Sequence, residues 1–273
     1  MTADPFAASA ACGVRWSVLA VPLPAGEPLR SRDADLVLPS ASTAKVLALL
    51  TAADDIEHGD LDPEEPLDRR EVAPVHDSGV WQHLAVDRLV VDDVARLVGV
   101  TSDNLATNVL LGRLGGVGRV RARAVRFAVD EVALHDIVRD ERAPADPPTL
   151  STGSARGYTR LFTRLWTDDG IPPAVASRVR GWLAGGMDLS MVASAFGLDP
   201  LAHEASDRGF ALVNKTGTDA GIRADAGVVS GPSGSVAYAC LAEWTPAGMS
   251  DPRRDDVLAA MREFGHELRR AVA

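Results

Sequence analysis

At 273 residues, 46% apolar and 24% charged, the chain can bury a sizeable core as one large or two intergrown domains. Its formal net charge of −10 argues against a nucleic-acid partner, which needs a basic footprint, and no apolar run approaches membrane-spanning length. Two cysteines, Cys12 and Cys240, make no metal or redox pattern; they read as small buried residues, with a disulfide open to them only in an oxidising compartment.

The first residues lack a basic segment followed by a continuous apolar run, so the expectation is a cytoplasmic protein, or a secreted one whose signal has been removed. Residues 3–11 read as a short helix and Val14–Pro22 as a buried strand. The turn Pro24–Pro28 and a strand at Leu36-Val37-Leu38 complete a hairpin. A helix then starts around Ser42, carries Val46, Leu47, Leu49, Leu50 and Ile56 at helical spacing, and ends near Gly59. Residues 60–90 read as irregular, with Trp81 a core anchor rather than a cleft wall. Asp92 or Asp93 caps the next helix, and a break presents Ser102-Asp103-Asn104. A helix through Leu105, Val109 and Leu110 ends at Gly115-Gly116. Residues 117–134 read as an Arg-rich helix and 135–150 as a polar loop. Ser151 and Thr152 open a periodic helix with Tyr158, Leu161, Phe162, Leu165 and Trp166, and Pro172-Pro173 open another. Residues 186–209 carry no clear period.

The last part changes character: 210–218, 226–231 and 235–244 read as strands, and 251–272 as a closing amphipathic helix. This order predicts an α/β (α+β) fold. An antiparallel sheet built from both ends of the chain (residues 1–36 and 206–273) is flanked by helices, and an all-helical lobe (37–205) is inserted. A cleft is expected between the lobes, near Ser42.

The chemistry starts at Ser42 and Lys45. Three residues apart at a helix start, they share a face and place an amine beside a hydroxyl, a nucleophile with its base. Unpaired N–H groups at the helix start favour a developing oxyanion. Of 28 basic residues only Lys45 and Lys215 are lysine. An amine can lose its proton when buried whereas a guanidinium cannot, so both lysines are candidates for chemistry. Ser102, at a helix break, can relay a proton to a leaving nitrogen. Asn104 offers an amide to a substrate amide. Lys215, Thr216 and Thr218 present a cation and hydroxyls to a substrate carboxylate, and Gly217 permits close approach of substrate to the strand backbone. The six His show no ligand spacing, and no nucleotide loop is found, so the expectation is an enzyme without metal or cofactor.

Ser42-x-x-Lys45, Ser102-Asp103-Asn104 and Lys215-Thr216-Gly217, in that order and with the first two 60 residues apart, resemble the motif set of class A serine β-lactamases and penicillin-binding proteins. The run SDNLATN strengthens the resemblance and brings in Asn108. The likeness extends over nearly the whole chain. It implies a hydrolase of β-lactamase type that works through an acyl-enzyme on Ser42, with antibiotic resistance as the associated role. It also implies an oxyanion hole from the backbone N–H groups of Ser42 and Thr218, and a monomer acting on a small β-lactam or peptide-like amide that carries a carboxylate. Arg223 is either a second carboxylate anchor or a solvated surface residue. The chain departs from the family in 135–150, where Glu-x-x-Leu-Asn is missing and the local carboxylates are Asp140, Glu141 and Asp146. Two alternatives therefore stand beside a turning-over β-lactamase. One is an intracellular amidase, esterase or peptidase on the same scaffold; the other is a sensor that acylates and does not turn over.

Overall fold

Strands from the two ends of the chain lie in one sheet. A computed structural model describes residues 4–24, 26–248 and 250–273. It begins with α1 (Ala7–Ala11), β1 (Arg15–Leu23), β2 (Arg30–Arg32), β3 (Leu38–Pro39), a 3-10 turn at Ala41–Lys45 and α2 (Val46–His58). Then come β4 (Pro66–Asp68), β5 (Arg88–Val90), α3 (Val91–Val100), α4 (Asn104–Arg113), α5 (Val117–Arg126), β6 (Val132–Leu134) and β7 (Ser151–Gly153). The chain closes with α6 (Ala155–Thr167), α7 (Pro173–Leu183), β8 (Ala211–Asp219), β9 (Ile222–Gly231), β10 (Gly234–Glu243) and α8 (Arg253–Val272).

The large sheet has the order β2-β1-β10-β9-β8, with antiparallel pairing at each step. Both faces are covered, and the period-2 alternation of its strands divides the apolar side chains between them. Trp16, Val18, Ala20, Val236, Tyr238, Cys240 and Ala242 point to one side, where α8 brings Val257, Met261, Phe264 and Leu268. Leu19, Ala237, Ala239 and Leu241 point to the other, where they join Leu161, Phe162 and Leu165 of α6 and the helical block. Within that block α2 is the axis, buried from Val46 to Asp55. Its buried Asp54 and Asp55 are neutralised by Arg119, Arg123 and Arg126, which accounts for the arginines of α5. Among the described residues no helix is long and apolar enough to cross a membrane.

Several local expectations are corrected. The partner of β1 is Arg30–Arg32, a charged edge strand of the kind that protects a sheet edge, and Leu38–Pro39 pairs with β7 instead. Ala25 of the expected turn and residue 3 of the expected first helix lie outside the described residues. Ser151 and Thr152 form a strand, not a helix start, and Ser154 caps α6 by accepting from Gly157 N. Asp92 and Asp93 lie in the first turn of α3, whose cap position is Val90. The helix from 117 stops at Arg126, where Ala128 takes φ 50°, and 132–134 is a strand. Cys12 is exposed, Cys240 is buried, and both are free thiols. Trp81 is fully buried, as expected of an anchor.

Candidate active site

Ser42 and Lys45 lie in a 3-10 turn rather than the first turn of an α-helix. At three residues per turn, side chains i and i+3 eclipse, so the turn sets the pair on one face, with Lys45 Nζ bonded to Ser102 and Asn104 rather than to Ser42 among the described residues. The turn is stitched down on one side. Ser40 N donates to Ser151 O (3.1 Å), Ser151 Oγ to Ala41 O (2.6 Å) and Tyr158 OH to Ser40 Oγ (2.6 Å). On its other side runs β8. A Cβ on Gly217 would collide with the Ser40 carbonyl oxygen and the Thr43 side chain. Gly217 is therefore needed for the strand to approach the turn that carries Ser42; it does not line the cleft, which revises the reading of it as a point of substrate approach.

The cleft, about 990 Å³, is lined by Ser42, Ser102, Asn104, Lys215, Thr216 and Thr218 among others. Lys45 is fully buried beneath them. Its Nζ donates to Ser102 O (2.6 Å), Asn104 Oδ1 (2.7 Å) and, at 3.4 Å, Ser102 Oγ. Burial, and next the neighbouring Lys215 cation, hold its pKa well below the usual amine value. Lys215 is buried too; its Nζ donates to Ser102 Oγ (2.9 Å) and Thr216 O (2.9 Å), and burial lowers its pKa to about 8. Ser102 thus bridges the two amines, at φ 57°, a left-handed conformation that aims its side chain between them.

Asn104 is engaged at both ends of its amide, since Nδ2 donates to His76 O (2.9 Å) while Oδ1 accepts from Lys45. It holds Lys45 in place, which leaves it less free for a substrate amide than expected. Asp103 fixes the neighbouring loop by accepting from Val80 N (2.7 Å), Trp81 N (2.8 Å) and Ala106 N (2.9 Å). Arg223 is half-buried over the Trp244 ring, donates to the Asp219 and Ile222 carbonyls, and lies off the cleft lining.

One turn beyond Asn104, Asn108 clamps the 135–150 loop. Its Nδ2 donates to Val138 O and its Oδ1 accepts from Val138 N, both at 2.8 Å. The loop position so presented to the cleft carries an isopropyl group. Of the four carboxylates in this loop, Asp136, Asp140, Glu141 and Asp146, only Asp140 lines the cleft, and its oxygens are taken by His76 N (2.8 Å) and Nδ1 (2.6 Å). Asp146 accepts from Ala143 N and pairs with Arg139, and Glu141 is exposed. Residues with no warning in the sequence also line the cleft, among them His76, Asp77, Arg139, Arg142 and Asp188. Only Asn108 hinted at this geometry, through its place in SDNLATN. Among the described residues no group of three or more His, Cys, Asp or Glu could hold a metal ion.

The chain matches the β-lactamase enzyme family over residues 5–268. It belongs to that family. It is 30% identical over 184 residues to the β-lactamase of Streptomyces albus G, covering 63% of this chain and 57% of that protein. With the β-lactamase regulatory protein BlaB of Streptomyces cacaoi it shares 26% identity over 90% of each. Among solved structures, a Leu-to-Glu mutant of PBP-A, as its acyl-enzyme with penicillin G, superposes with a TM-score of 0.77 at 21% identity, covering 94% of this chain and 90% of that one. That likeness carries the fold: an antiparallel sheet with helices on both sides, as in β-lactamases and penicillin-binding proteins. Within this β-lactamase-family frame, Ser42 lines one cleft with residues of β8 and of the 135–150 loop.

Proposed function

We propose that the protein is a class A-like serine acylase for β-lactams or related amides. Ser42 Oγ attacks the carbonyl, and neutral Lys45 takes its proton. Ser102, in contact with both amines, returns a proton to the leaving nitrogen. Lys215, Thr216 and Thr218 receive the substrate carboxylate, and the N–H groups of Ser42 and Thr218 bind the oxyanion. Arg223 would join them only by leaving its carbonyl partners. The observation that carries this reading is the fully buried Lys45 amine, held below its usual pKa and bonded to Ser102 beneath the cleft that Ser42 lines.

The second half of the cycle is where this site is poor. Val138 occupies the loop position held against the cleft, and Asp140 is bound to His76. A deacylation base must reach its water directly or through one other. We therefore favour a long-lived acyl-enzyme, which suits a sensor or sink and fits the likeness to a β-lactamase regulatory protein. A chromogenic cephalosporin followed alongside intact-protein mass tests this. The expected result is a burst of colour and a persistent adduct on Ser42. Rapid steady turnover would identify a β-lactamase, and the absence of both would leave an amidase, esterase or peptidase.

A further inference from the structure

Arg139 and Arg142 belong to no motif, yet both line the cleft. Both are braced by one buried carboxylate. Arg139 Nε (2.8 Å) and Nη2 (3.2 Å) donate to Asp136, and Arg142 Nη1 donates to Asp136 (2.7 Å) and to Pro147 O (3.2 Å). A second partner, Asp146, lies 3.3 Å from Arg139 Nη2. Among the described residues this leaves Arg139 Nη1 and Arg142 Nε and Nη2 with no acceptor. The side chains stay 34% and 25% exposed, so those donors are open to a ligand. Asp140, between them in sequence, is bonded to His76 through both its oxygens and not to either guanidinium.

They share the cleft lining with Ser42, whose turn is held between two elements. β8, with Lys215 and Thr218, lies against one side of residues 40–43. The end of the 135–150 loop is tied to the other side through Ser151. Lys215 enters the cleft from β8 and the two guanidiniums from the 135–150 loop, so a substrate whose first carboxylate is held at Lys215 leaves the guanidiniums free for a group on its acyl side.

We propose that Arg139 and Arg142 form a second anion subsite, for a carboxylate carried on the acyl side of the substrate. The proposal rests on the reading of Ser42 as the acylated residue, and it narrows the substrate class to amides with an acid group on each side of the scissile bond. A guanidinium already fixed by one carboxylate loses little freedom on binding another, and its fork matches the planar oxygens.

The test compares benzylpenicillin with carbenicillin, which adds one carboxylate to the acyl side chain. Calorimetric binding to the Ser42→Ala protein reads the subsite without any acylation. Carbenicillin is expected to bind about tenfold tighter, the size of one charge-assisted contact. The preference should shrink toward parity in Ser42→Ala/Arg142→Gln and in raised salt. Because a ratio is read, a general weakening from a loosened loop divides out, and Arg139→Gln serves the same comparison should the Arg142 variant not fold. Equal affinities, no binding of either compound, or a preference that survives both arginine substitutions would overturn the subsite. Intact-mass measurement of the unsubstituted protein with the same compounds judges the Ser42 reading separately, since a missing adduct removes the nucleophile whatever the binding ratio.

Discussion

At the scale of single residues the site turns on two amines that share one hydroxyl. Lys45 and Lys215 both reach Ser102 Oγ, and two buried cations so placed disfavour each other. Acylation should therefore rise with pH as Lys45 loses its proton, on a limb well below the ordinary amine range. For carboxylate-bearing substrates it should fall again above about pH 8, where Lys215 loses its charge. Lys45→Arg should cut the acylation rate by at least about 100-fold with an unchanged circular dichroism spectrum, because a guanidinium cannot take the serine proton. Lys215→Arg should be milder and should erase the alkaline limb; a limb that persists would assign it to another group. At Val138, Val138→Glu sets a carboxylate at the position that Asn108 clamps, and should shorten the life of the Ser42 adduct by about tenfold or more, read by timed mass spectra. These lysines were legible because lysine is so rare in this chain. The tie of Asn104 to Lys45, and of Asp140 to His76, was not, since a motif names residues without saying which partner claims each polar atom.

At the scale of elements the site is a meeting of one turn, one strand and one loop. Gly217→Ala tests the first contact. The new methyl meets backbone, which cannot swing aside as a side chain can, so β8 must back away from residues 40–43. The expected cost is about 1–3 kcal/mol of stability, with a larger loss in acylation because Ser42 and Thr218 would separate. An unchanged melting temperature and rate would show that the strand has slack. Long amphipathic elements such as α6, α7, β10 and α8 could be read in sequence because ten or more residues display a period. Strands of two or three residues, such as β3, β6 and β7, show none, and their pairing is decided by partners far along the chain. The 135–150 loop was recognisable as the departure from the family, but what it offers the cleft depended on the clamp from α4.

At the scale of the whole molecule the sheet couples stability to the site. Asp225 on β9 is fully buried, on the face covered by α8 and the segment 192–195. Its carboxylate accepts from Asn214 Nδ2 (2.9 Å), Tyr238 OH (3.0 Å) and, at 3.4 Å, Ala193 N. Burial outweighs these bonds and raises its pKa to about 6 from an ordinary 3.8. Between those values the folded chain holds a proton that the unfolded chain has released, so stability from this group is full below about pH 4 and is lost as pH rises through 6. The loss amounts to about 3 kcal/mol in the limit of complete burial. Asp225→Asn keeps an acceptor for Tyr238 and removes the titration. Its stability relative to the unsubstituted protein, from urea unfolding, should improve by up to that amount between pH 3 and pH 8. The same carboxylate supports the charge on Lys215, so the variant should also move the alkaline limb of acylation to lower pH. A relative stability independent of pH would mean that Asp225 stays charged in its pocket. A shift in stability without a shift of the limb would separate the sheet's buried acid from the chemistry at its edge.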